Sequence, residues 1–128
     1  MNLSGLPDLS KLEFQFHDSE VSCVRVVSGD VHIAFSAASV RLGYLKAVEF
    51  CLSQASWSGN LNECVGGLSD GELKVDGASI QWVSLPFQGA GNISLMLEFA
   101  NGALLCVTST EVRVTQRGHP KFVENFAC

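Results

Sequence analysis

The chain has 128 residues, 47% of them hydrophobic and 16% charged, and thirteen acids against eight bases give a net charge of −5. That length fits one domain spanning 1–128, and so apolar a composition excludes disorder, which needs few hydrophobic residues and much charge. The bases (Lys11, Arg25, Arg41, Lys46, Lys74, Arg113, Arg117 and Lys121) are scattered and form no stripe to neutralise phosphates, which disfavours nucleic acid, and no apolar run approaches the roughly 20 residues of a membrane span.

The first residues, Met-Asn-Leu-Ser-Gly-Leu-Pro-Asp-Leu-Ser-Lys, lack the basic start and apolar stretch of a secretory signal, so a cytoplasmic setting is expected. Phe14-Gln15-Phe16 leads into the polar run His17-Asp18-Ser19-Glu20, read as a turn before the strand that begins at Val21. Val21 to Phe35 predicts a hairpin turning through Ser28-Gly29-Asp30, with Val31, Ile33 and Phe35 alternating against His32 and Ala34. Ser36 to Arg41 either continues that strand or forms a short helical turn. Tyr44 to Gln54 favours a strand with Val48, Phe50 and Leu52 on one face, with a helix as the alternative, since Leu45, Val48 and Leu52 also fit helical spacing. Ser56 to Gly71 is rich in Gly, Ser and Asn and reads as a long loop or an irregular edge.

Gly71 to Val83 predicts a second hairpin bending at Asp76-Gly77, with Leu73 facing Ile80 and with Trp82 in the core. Pro86 to Gly91 is a break. Asn92 to Ser109 is the clearest hairpin: Asn101-Gly102 favours a two-residue type I′ turn, because both central positions need positive φ. That register pairs Ala100 with Ala103, Phe99 with Leu104 and Glu98 with Leu105, and places Ile93, Leu95, Leu97 and Phe99 on one face. Glu111 to Gln116 reads as a further strand, and Phe122, Val123 and Phe126 are apolar enough for the tail to dock on the core. The fold class is therefore all-β or mainly β, an antiparallel sandwich or barrel of seven to nine strands built from hairpins.

Five cysteines (Cys23, Cys51, Cys64, Cys106 and Cys128) include no C-x-x-C pair. They are expected to be reduced and mostly buried, with Cys128 exposed. His17, Asp18 and Ser19 together suggest a nucleophilic site. In an extended chain, however, His17 and Ser19 share a face while Asp18 points away, and no G-x-S-x-G elbow is present. No enzyme activity is expected. His17, His32 and His119 with Asp18 form a candidate metal group, but no pair has a signature spacing, so neither metal nor cofactor is expected. Glu63, Asp70, Glu72 and Asp76 surround Gly66-Gly67 and Gly71 without the spacing of a calcium loop. Those carboxylates suit a basic partner, and recognition commonly sits on loops of a rigid sheet. Trp57, in a polar setting, is either docked beneath its loop or exposed as an anchor.

The stretch Phe14-Gln-Phe-His-Asp-Ser-Glu-Val21, the Gly-Asp corner that follows, and Leu97-Glu-Phe-Ala-Asn-Gly102 resemble small bacterial immunity-type proteins of polymorphic toxin systems. In these a His-Asp-Ser motif introduces the first long strand of a β-rich domain. The resemblance implies a non-enzymatic protein that neutralises a toxin by binding it, and it transfers no binding residues. The expected function is thus a protein-binding module. Trp57, Glu63, Asp70, Glu72, Asp76, His17 and Asp18 are its candidate binding residues, a basic toxin is a candidate partner, and edge strands offer a route to a homodimer. The alternative is a small-molecule carrier with a pocket inside a β-barrel.

Overall fold

The computed structural model describes residues 12–41 and 43–116. Ten strands run through them: β1 (Leu12–Val27), β2 (Asp30–Val40), β3 (Gly43–Leu45), β4 (Val48–Ser53), β5 (Ser56–Ser58), β6 (Gly66–Val75), β7 (Ala78–Ile80), β8 (Val83–Leu85), β9 (Phe87–Phe99) and β10 (Leu104–Gln116). The order β2-β4-β10-β9-β6-β1 closes on itself because β1 also pairs with β2, giving a six-stranded antiparallel barrel. Closure pairs both edges of the sheet. The four three-residue strands lie outside it, β3 on β2, β5 on β10, β7 on β6 and β8 on β1. The all-β expectation holds, with the barrel realised rather than the sandwich.

Alternation places the core. Val31, Ile33 and Phe35 of β2, Val48, Phe50 and Leu52 of β4, and Ile93, Leu95, Leu97 and Phe99 of β9 are all buried. At the centre Phe14, Phe16, Phe35 and Phe50 form one ring cluster. Phe14 meets the other three edge-on at centroid separations of 5.4 to 5.7 Å, a geometry in which the positive ring edge meets a negative face.

Two of the three corners turn as expected. Ser28 and Gly29 (φ 54° and 85°) and Asp76 and Gly77 (φ 52° and 85°) both carry the paired positive φ values of a type I′ turn. Leu73 pairs with Ile80 in the predicted register. The Asn101-Gly102 corner differs. Only Gly102 has positive φ, Gly102 N–H donates to the Phe99 carbonyl, and Phe99 N–H donates to the Ala103 carbonyl. This is a three-residue loop, a type I turn followed by a glycine bulge. It moves the register by one, so Leu104 pairs with Glu98 and is 51% exposed while Leu105 pairs with Leu97 and is buried.

Other expectations are corrected. The predicted loop from Ser56 to Gly71 holds β5, a 3-10 turn at Leu61–Glu63 and the first half of β6. Gly66 and Gly67 are strand residues, paired with Val21 and Glu20 of β1. The break at Pro86 ends at Phe87, from which β9 runs unbroken for 13 residues. Ser36 to Val40 continues β2, and Glu111 to Gln116 is the second half of β10 across a register shift after Ser109. Cys51 and Cys106 are only half-buried, because the inward alternation of their neighbours turns them outward, whereas Cys64 is buried. Cys23 is buried and disulfide-bonded rather than reduced. His119, Cys128 and the apolar tail lie outside the described residues.

Candidate functional site

The polar run His17-Asp18-Ser19 is part of β1, not a turn between strands. Asp18 has φ 68°, and between the pairs Gln15–Ser39 and Glu20–Ala37 β1 advances five residues against two on β2, so three extra residues bulge here. The bulge overturns simple alternation. Phe16 and Ser19 both face inward, and His17 and Asp18 both face solvent. Ser19 is 1% exposed; its hydroxyl donates to the Gln15 carbonyl at 2.6 Å and accepts from Ser39 N–H at 2.8 Å. Its role is to close the bulge. The hydroxyl faces away from His17, so the three residues do not form a nucleophile and base in series.

The same bulge opens a cleft. β1 pairs with β6 only at Glu20–Gly67 and Val21–Gly66. Toward its N-terminal end β1 leaves β6 and pairs instead with β8, from Leu12–Leu85 to Phe14–Val83. On the other side, β6 shifts register against β9 between Leu68 and Asp70, which frees the Ser69 carbonyl to accept from His17 Nδ1 at 3.0 Å. Between the splayed strands lies an open cleft of about 360 Å³, whose walls include His17, Asp70, Glu72, Ile80, Trp82 and Met96. Its base is tight: a Cβ on Gly71 would stand 2.6 Å from the Cβ of Phe16.

Charges in the cleft are partly paired. His17 Nε2 lies 3.6 Å from Asp18 Oδ1, and Glu72 lies 3.9 Å from the Lys74 ammonium, all well exposed. Asp70 accepts from Gly71 N–H. The Arg41 guanidinium stacks 4.2 Å above the centroid of the Trp82 ring, a cation–π arrangement. Trp82 is therefore half-buried in the cleft wall rather than in the core, because β7 ends at Ile80 and the chain bends there.

The Ser69 carbonyl, then the Asp18 and Asp70 carboxylates, push the His17 pKa above its ordinary 6.5, against a small opposing effect of desolvation. A raised folded pKa means that the protonated ring stabilises the fold. That contribution is complete below the unfolded value near 6.5 and is lost as pH rises through the higher folded value. In a proton NMR titration the His17 ring is expected to show a midpoint above 6.5 that falls in Asp18→Asn. A midpoint at or below 6.5 would contradict the geometry.

The candidate binding residues divide. His17, Asp70 and Glu72 meet in the cleft, with Asp18 beside His17. Asp76 is used by the backbone, its Oδ1 accepting from Asn92 N–H at 2.8 Å. Glu63 sits in the 3-10 turn, its carbonyl accepting from the Asn101 side chain. Trp57 lies on β5 opposite Val107, 42% exposed and not docked. None of these three lines the cleft. Sequence reasoning missed Trp82 because it alternates with Ile80 as a core position would, and Met96 because it is a single apolar residue on the outward face of β9 between Ser94 and Glu98. Inside the barrel the four phenylalanine rings are packed together.

Among the described residues no helix is long and apolar enough to cross a membrane. Comparison with protein families, with curated proteins and with solved structures finds no match to this chain.

Proposed function

We propose that this chain is a non-enzymatic protein-binding module whose cleft between β1 and β6 receives a basic side chain of a protein partner. The observation that carries the reading is the convergence of Asp70, Glu72 and His17 with Trp82 and Met96 in one open cleft. Carboxylates beside an aromatic and a thioether suit the charged head and apolar stem of Arg or Lys. Arg41 on Trp82 is an internal example of the same recognition. The net charge of −5 favours approach of a basic partner. The resemblance to immunity-type proteins supplies a context in which that partner is a basic toxin. A homodimer through sheet edges has less support, since barrel closure leaves edges chiefly on strands of three residues.

The volume of about 360 Å³ also falls at the small end of the range for small-molecule sites. It keeps the carrier reading as the alternative, with its ligand in this outer cleft.

An NMR titration with a short Arg- and Lys-rich peptide, set against its Glu-substituted counterpart, tests the proposal. The basic peptide is expected to give saturable, salt-weakened shifts at Glu72, Gln81 and the Trp82 indole, and Asp70→Lys/Glu72→Lys is expected to remove them. Binding is expected to tighten as pH rises through the His17 midpoint, because the cleft then loses a positive charge. Equal binding of both peptides, or shifts confined to other strands, would overturn the reading.

A further inference from the structure

The geometry points to a second site, a transition-metal centre of the zinc class held by Asp30, His32 and Cys51 on the outer face of β2 and β4. His32 stands directly opposite Cys51 in the β2–β4 register. Asp30 precedes His32 by two residues on the same strand, so the three side chains project from one face. An imidazole nitrogen, a thiol sulfur and a carboxylate oxygen from these residues all lie within 4.8 Å of one another, and each residue is half-buried. A tetrahedral zinc ion, with bonds of about 2.0 to 2.3 Å, holds its ligands roughly 3.3 to 3.8 Å apart. Closing the site therefore asks each pair to approach by no more than about 1.5 Å, within the reach of small side-chain rotations.

The surroundings suit the ion. Gln54 N–H donates to Asp30 Oδ1 at 3.0 Å, which fixes the carboxylate and leaves Oδ2 for a metal. The Glu49 carboxylate lies 3.8 Å from His32 Nδ1, placing an acceptor beside the ring as the outer shell of metal-bound imidazoles does. Arg25, the residue opposite His32 on β1, is drawn 3.7 Å from Glu49. Burial, then the Asp30 carboxylate, push the Cys51 thiol above its ordinary pKa, with Glu49 and Glu111 adding to this and Arg113, opposite it on β10, offsetting part of it, so the ion itself must displace the proton.

The mixed sulfur, nitrogen and oxygen set selects the class of ion. Calcium and magnesium take oxygen ligands, whereas thiolate with imidazole suits zinc and its neighbours. On binding, a sulfur–metal bond forms as the thiol proton leaves to solvent, and one thiolate with one carboxylate balances a dication. The fourth position falls to water. The site is assembled across strands, and so it has no signature spacing in sequence. It is separate from the cleft on β1 and β6 and stands without it.

The test is a titration of the metal-free, full-length chain with cobalt(II), read by absorption. The expected result is a thiolate-to-cobalt charge-transfer band with the strong visible bands of a four-coordinate ion, saturating at one ion per chain and displaced by zinc. Cys51→Ser is expected to abolish the charge-transfer band. His32→Gln is expected to weaken binding more than about 100-fold, beyond the roughly 10–100-fold that loss of an outer-shell partner costs. Cys106→Ser, which changes another half-buried thiol, should retain the full signal. Circular dichroism separates loss of the ion from unfolding, and His32→Gln decides the matter if Cys51→Ser does not fold. Absence of the band in the unaltered chain, its survival in Cys51→Ser, or unchanged affinity in folded His32→Gln would overturn the proposal.

Discussion

Phe14→Ala is expected to lower the unfolding free energy by about 3–5 kcal/mol, as large-to-small changes at a packed aromatic do. Phe14 is fully buried and meets Phe16, Phe35 and Phe50 edge-on. Its removal takes away its own transfer free energy and leaves three rings facing a void. Those rings come from β1, β2 and β4, so collapse into the void requires three strands to move and relaxation is poor. A domain of this size has about 5–15 kcal/mol in total, so the variant should sit near the edge of folding. Urea unfolding is the measurement, with a lower midpoint and an unchanged slope expected. A loss below about 1 kcal/mol would mean that the ring cluster is not the centre of the core.

Gly71→Val is expected to destabilise by about 3 kcal/mol, at the upper end of what overpacking costs. The clash falls on the Cβ and Cγ of Phe16 and on Leu97. A Cβ so close to the backbone cannot rotate away, so β1 or β6 must shift. The same shift would carry His17 from the Ser69 carbonyl, and the raised His17 titration should return toward 6.5 in this variant. Gly67→Ala is the control, because nothing lies within 4 Å of a Cβ built there. It should stay within about 0.5 kcal/mol of the parent. Similar losses at both glycines would point to a general intolerance of side chains on β6 rather than to the contact with Phe16.

The faces of the strands were legible because burial follows a period of two wherever a ladder is regular. Val48, Phe50 and Leu52, and Ile93 through Phe99, needed nothing more. What alternation cannot carry is a bulge. The bulge around Asp18 turns Asp18 outward and Ser19 inward, against alternation from Phe16, and no glycine marks the place, since Asp18 itself takes positive φ. Asn101-Gly102 misled for a related reason: the pair permits both a two-residue and a three-residue loop, and only the tertiary register decides between them. Gly66-Gly67 read as a loop although its backbone is paired, because strand pairing with β1 comes from the barrel and not from local preference. The cleft and the Asp30–His32–Cys51 group are products of cross-strand neighbours, which a linear spacing search does not reach.

The most direct test of the whole account is a set of interstrand nuclear Overhauser contacts in isotope-labelled protein. A closed barrel with a splayed first strand predicts contacts from Val21 to Phe35 on one side and to Gly66 on the other, together with a contact from the His17 ring to Ser69. Contacts from β1 to β2 alone, with His17 remote from β6, would describe an open sheet without the cleft and would contradict both the architecture and the binding site built on it.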